Sequence, residues 1–258
     1  MTLARVEDRG DRAVVVNMNV DRRGALSPDL YAAIREALAL AAQKRIRAVI
    51  LTAEGGFFCA GGDLNVLIER RTLSELERRA KVDELHDLVR LIRSSPVPVI
   101  AAVEGGAAGA GASLALACDL IVAAEGAKFT AAYVKAGLVP DAGLTSALSR
   151  LVPRALAMEM CLLARPVTAE RMYALGAVNA VVPAGEADAS AHALADALAQ
   201  GPRAAQGSIR KLVADAYETT EADQLDAERN GMAAAAGGPE AAEGIAAFLE
   251  KRKPSFGV

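Results

Sequence analysis

Apolar residues along this chain fall into two kinds of pattern. Short unbroken aliphatic runs alternate with longer helical-period stretches up to about Val182, and beyond that only helical patterns remain. An unbroken run marks a strand covered on both faces, and apolar residues at i, i+3 and i+4 mark a helix with one buried stripe. Val6 to Arg9 and Ala13 to Met18 read as strands joined by the Gly10-Asp11 turn. Ala48 to Leu51, Val97 to Val103, Leu120 to Ala123 and Val178 to Val182 read as further strands. Ser27-Pro28 offers an N-cap and a first-turn proline for a helix from Asp29 to Gln43. A charged helical segment, Leu73 to Arg93, stops before Pro96 and Pro98. Later helices are expected at Arg154 to Leu163, Thr168 to Leu175, Ala187 to Ala199, Pro202 to Ala216, Glu221 to Ala236 and Pro239 to Arg252. Alternating strands and helices followed by helices alone predict an α/β core over residues 1–195 and a helical region over 196–258.

Two strands run into glycine-rich turns that open helices. One turn is Glu54-Gly55-Gly56-Phe57-Phe58-Cys59-Ala60-Gly61-Gly62-Asp63-Leu64, and the other is Glu104-Gly105-Gly106-Ala107-Ala108-Gly109-Ala110-Gly111. Small side chains leave main-chain N–H groups uncovered at the start of a helix, where its dipole favours negative charge. Such a pair of N–H groups facing one point suits a carbonyl oxygen that gains charge during reaction. The second turn reads equally well as a small-residue helix packed under a buried strand. Neither turn is a dinucleotide fingerprint or a P-loop, since G-x-G-x-x-G and a following Lys-Ser/Thr are both absent.

Composition narrows the chemistry. With 29 Lys+Arg against 32 Asp+Glu, the net charge is −3, so no positive excess exists to neutralise nucleic-acid phosphates. Cys59, Cys118 and Cys161 are widely spaced in apolar surroundings, as free thiols of a reducing compartment are. His86 and His192 have no partner at metal-ligand spacing, which speaks against a metal site or a histidine triad. No apolar leader or membrane-length run is present, so a cytoplasmic protein without a membrane partner is expected.

Four pieces together resemble the crotonase (enoyl-CoA hydratase/isomerase) superfamily. They are Phe58 to Leu64, the Gly-Ala-Ala-Gly-Ala-Gly run with Cys118-Asp119 behind it, Gly137-Leu138-Val139-Pro140-Asp141-Ala142-Gly143, and the closing stretch Glu243 to Arg252. The resemblance implies a crotonase-like repeated ββα core, a C-terminal helical region that assembles a homotrimer or a hexamer of two trimers, and an acyl-CoA substrate with no separate cofactor. It also implies oxyanion donors on the N–H of Ala60 and of Ala110. CoA contacts are implied for Arg22, Arg23, Ala25 and Leu26, for Gly62, Asp63 and Leu64, and for Phe248 and Lys251 of the closing helix, the last two often reaching the CoA of a neighbouring subunit. Arg22, Arg23 and Lys251 read equally as solvated surface charge.

One departure bears on the reaction. Hydratases of this family carry two glutamates, and the matching positions here are Ser113 and Tyr133. Neither side chain does carboxylate work near neutral pH. Asp141 is the remaining acid, and its Pro-Asp-Ala-Gly turn resembles that of family members isomerising acyl-CoA epoxides or double bonds. The same four residues also suit an ordinary turn. Glu104 and Asp119 sit at element ends and read as structural. The chain is thus expected to be an acyl-CoA isomerase using Asp141, with hydration or binding without turnover as the alternatives.

Overall fold

The computed structural model describes residues 2–256. Strands β1 (Ala4–Asp8) and β2 (Arg12–Asn17) form an antiparallel hairpin, and helix α1 (Pro28–Leu40) follows. Ser27 caps α1 by accepting the Leu30 N–H, with Pro28 at its first turn. Strand β3 (Ala48–Ala53) leads through the first glycine-rich turn to α2 (Leu64–Arg70) and α3 (Glu75–Arg93). Ser74 and Glu77 close a capping box on α3. Then come β4 (Val99–Val103), β5 (Gly106–Ala108) and α4 (Ala110–Ala117), followed by β6 (Leu120–Ala124), β7 (Lys128–Thr130) and α5 (Leu144–Leu151). Helix α6 (Arg154–Leu163), β8 (Val167–Thr168), α7 (Ala169–Ala174), β9 (Ala180–Val182) and α8 (Ala187–Ala199) complete the core.

The main sheet has six strands in the order β1-β2-β3-β4-β6-β9, parallel beyond the opening hairpin. Its strands alternate between two apolar layers. Val14, Val16, Ile50, Ile100 and Val122 face Ala187, Ala191 and Ala195 of α8, whereas Val15, Val49, Leu51 and Val103 face the layer that includes α1, α3 and α4. A second, three-stranded sheet in the order β5-β7-β8 was not foreseen from the sequence. Its strands hold three residues or fewer, too short for a period to show. Cys59 bridges Ala107 in parallel and extends that sheet by one residue. Each later ββα unit therefore sends one strand to the main sheet and one to the small sheet before its helix.

Helices α9 (Arg203–Asp215), α10 (Glu221–Ala236) and α11 (Pro239–Leu249) follow the core. The expected division at residue 195 falls inside α8, because Ala187, Ala191 and Ala195 pack as one stripe on the sheet. The chain leaves the core only at Gly201-Pro202, where the helical pattern breaks. Arg210 fastens α9 to the core: it is buried, pairs with Asp119 at 2.6 Å and donates to the carbonyls of Ile92, Arg93 and Ser95 at the end of α3. Among the described residues no helix is long and apolar enough to cross a membrane.

Candidate active site

The two glycine-rich turns lie against each other. The Ala108 N–H donates to the Cys59 carbonyl at 2.9 Å. A Cβ on Gly111 would come within 2.2 Å of that carbonyl oxygen, and one on Gly61 within 2.6 Å of the Ala108 carbonyl and 3.1 Å of the Ala110 nitrogen. Glycine at both positions is what lets backbone touch backbone. Every residue of α4 is buried, so its small side chains serve close packing and an open N-terminus together. Ala110, the first residue of α4, has no acceptor for its N–H among the described residues, as expected of a helix start.

Ala60 departs from expectation. Its N–H already donates to the Arg23 carbonyl at 3.0 Å, so it is not an open donor. The N–H of Gly62, two residues on, has no acceptor among the described residues. Asp63 then caps α2 by accepting the Asn65 N–H at 2.9 Å.

The loop carrying Arg22, Arg23, Ala25 and Leu26 is laced to the same turn. Arg22 pairs with Asp63, and the Leu26 N–H donates to the Gly61 carbonyl at 2.8 Å. The Arg23 guanidinium lies 4.1 Å from the centre of the Phe57 ring. Ala25 is buried, while Arg22, Arg23, Gly62 and Leu64 are exposed at the rim. Two buried asparagines unmarked by sequence reasoning hold this loop from beneath. Asn17 donates to the Gly24 carbonyl at 2.7 Å and Asn19 to the Ala25 carbonyl at 2.9 Å. Polar residues ending the apolar β2 run were the available signal.

Asp141 is part of a compact polar cluster. The Tyr133 hydroxyl donates to Asp141 Oδ1 at 2.7 Å. Ser113 Oγ lies 3.1 Å from the Tyr133 oxygen and 3.2 Å from the Asp141 carbonyl. Ser113 sits in the first turn of α4, three residues after Ala110, so the carboxylate cluster adjoins the open helix N-terminus. Burial above all, with the neighbouring Asp141 carboxylate, holds the Tyr133 phenol above its ordinary pKa, and it stays a donor. The backbone here is not a plain type I turn. The Leu144 N–H closes on the Asp141 carbonyl at 3.1 Å across Ala142 and Gly143, with φ of 51° and 76°. A positive φ at alanine costs on the order of 1–2 kcal/mol, and the Ala142 N–H is held by His86 Nε2 of α3 at 3.2 Å.

Phe248 and Lys251 stand at the end of the last helix. Phe248 is 83% exposed at the end of α11, and among the described residues no hydrogen bond or ion pair ties either residue to the turns. Glu104 and Asp119 are structural, as read from the sequence. Glu104 accepts the N–H groups of Gly185 and Ala187 at the start of α8, and Asp119 accepts from Val99 and Arg210.

Residues 10–258 match the family model described as enoyl-CoA hydratase/isomerase. A 1,2-epoxyphenylacetyl-CoA isomerase of Escherichia coli strain K12 is 37% identical over 92% of this chain and 91% of its own length. A probable enoyl-CoA hydratase of Rhodobacter capsulatus is 39% identical over 95% and 91%. The solved structure of an enoyl-CoA hydratase from Polaromonas sp. JS666 superposes with a TM-score of 0.94 at 41% identity, covering 98% of both chains.

Proposed function

Since the chain belongs to the enoyl-CoA hydratase/isomerase family, we propose that it is an acyl-CoA isomerase that moves one proton between carbons of an unsaturated acyl thioester. The observation that carries this reading is the Asp141 carboxylate, with Oδ1 held by Tyr133 and no donor on Oδ2 among the described residues. The Asp141 main-chain carbonyl lies 3.2 Å from Ser113 Oγ, in the first turn of the helix that Ala110 opens. In the proposed reaction Asp141 Oδ2 takes a proton from a carbon beside the conjugated system. The C–H electron pair passes into the thioester as an enolate, and its oxygen is held by the N–H groups of Ala110 and Gly62. The enolate pair then forms a C–H bond at another carbon with the proton from Asp141, which ends ionised as it began. No cofactor takes part, because the CoA thioester itself supplies the electron sink.

Hydration is the second reading, favoured by the hydratase names of the Rhodobacter and Polaromonas proteins. A hydratase must also position and activate water, and Ser113 and Tyr133 offer no second carboxylate for that. Mass spectrometry of 2-enoyl- and 3-enoyl-CoAs incubated with the protein in heavy water separates the readings. Isomerisation with proton exchange and no mass gain of one water is the expected result. Asp141→Asn, which keeps the shape and removes the proton acceptor, is expected to abolish both while acyl-CoA still binds. Water addition by the wild type, or undiminished exchange by the Asn variant, would overturn the proposal.

A further inference from the structure

A carboxylate that takes and returns a proton normally has two equivalent oxygens, interchanged by rotation about its last side-chain torsion. In this protein the two are made unlike. The Tyr133 hydroxyl donates to Oδ1 at 2.7 Å, and Oδ2 has no donor among the described residues. Tyr133 is itself backed by Ser113, whose Oγ is 3.1 Å away on a residue only 1% exposed. The main chain of Asp141 is fixed as well. Its carbonyl accepts from the Leu144 N–H, with Ser113 Oγ 3.2 Å away, and the next residue is held through its N–H by His86. Polar side chains on three separate elements thus converge on the orientation of one carboxyl group.

We infer that Tyr133 is a positioning residue for Asp141, committing Oδ1 to a standing hydrogen bond and leaving Oδ2 as the sole proton carrier. The inference rests on the reading of Asp141 as the base. One oxygen then both breaks the first C–H bond and supplies the proton for the second. The proton returns to the face of the acyl chain it left. Tyr133 keeps its own proton throughout, and Ser113 holds the phenol in place. The two side chains where a hydratase carries glutamates thereby become the mount of a one-base site.

The test compares Tyr133→Phe, which removes one hydroxyl, with Ser113→Ala, Asp141→Asn and the wild type on a short 3-enoyl-CoA in heavy water. Two quantities are read for each protein, the isomerisation rate and solvent deuterium uptake per isomerisation. The second is a ratio, so a loss of folded protein leaves it unchanged. With Tyr133→Phe, kcat should fall on the order of 10- to 100-fold, the scale of a misplaced reacting group, with KM held within about twofold. Deuterium uptake per turnover should rise, because an untethered carboxyl group turns its proton toward solvent before returning it. Ser113→Ala should move both quantities the same way by less, and it carries the test if the Phe variant does not fold. An unchanged kcat, or a lower kcat with an unchanged ratio, overturns the positioning role. If Asp141→Asn still isomerises, the base lies elsewhere and the proposed reaction falls with the inference. A dead Asn variant beside a wild-type-like Phe variant sinks the inference alone.

Discussion

The N–H of Ala110 and the hydrogen of Gly111 do different work one residue apart. Proline at 110 would delete a single donor while keeping a residue tolerated at the first position of a helix. Loss of one oxyanion donor typically costs about 2.7–4 kcal/mol of transition-state stabilisation, or roughly 10²–10³ in kcat. Ala110→Pro should therefore unfold near the wild-type temperature and turn over at that reduced rate. Gly111→Ala should lose stability and activity together, since its Cβ meets the Cys59 carbonyl at 2.2 Å. Thermal unfolding beside steady-state kinetics separates the two, and a Pro variant with full turnover would remove Ala110 from the site. The glycine run and Asp141 were legible as chemistry because small residues and a lone acid stand out locally. Which N–H stays open in the first turn was not, since Ala60 is closed by a carbonyl from a loop more than thirty residues earlier. Ser113 and Tyr133 were legible as missing glutamates, while their bonds to Asp141 depend on tertiary placement that no spacing rule encodes.

At the scale of elements, boundaries marked by caps and prolines were readable and buried charge was not. Ser27-Pro28 and the breaks at Pro202 and Gly237-Gly238-Pro239 each begin or end a helix through local backbone chemistry. Arg210 reads as one more polar residue of an amphipathic helix, yet it is the bolt between α9 and α3. Removing one partner of a fully buried pair typically costs about 3–5 kcal/mol because the other charge is left uncompensated, a figure that solvent reaching the carboxylate lowers here, where its side chain is 24% exposed. For Arg210→Ala that other charge is Asp119. Burial already pushes its carboxyl up, against the opposing pull of Arg210 and the Val99 N–H. A carboxyl whose folded pKa exceeds its unfolded value binds a proton that the unfolded chain releases, so stability falls as pH rises through that window. Without Arg210 the window widens upward. The deficit of Arg210→Ala, measured by urea unfolding, should be larger at pH 7 than near pH 4. A deficit that is equal or larger at the acid end would show that the lost carbonyl contacts of α3, not the Asp119 charge, account for it.

For the whole molecule, the alternation of strand and helix beyond the opening hairpin made the α/β order readable, and the C-terminal helices were placed to within three residues at their ends. Those helices leave several large apolar side chains exposed. No residue of α10 is buried, and Leu225 and Met232, one heptad apart, are both exposed. Ile209 and Val213 of α9 and Ile245, Phe248 and Leu249 of α11 are exposed as well. Gly231 of α10 faces Leu212 of α9, while Leu225 and Met232 of the same helix are exposed. Apolar surface on this scale marks an interface, and closed cyclic symmetry is the usual way to bury it without leaving a free edge. The protein is therefore expected to run as a trimer, or as a hexamer of two trimers, in light scattering at micromolar concentration. A double substitution of Leu225 and Met232 to Lys should lower the mass. If Phe248 and Lys251 reach the CoA of a neighbouring subunit, as the family resemblance implies, that variant should also lose acyl-CoA affinity while Asp141 and the glycine turns stay intact. A wild-type protein that is a stable monomer would mean that α9 to α11 face solvent, and that the two closing-helix residues take no part in binding.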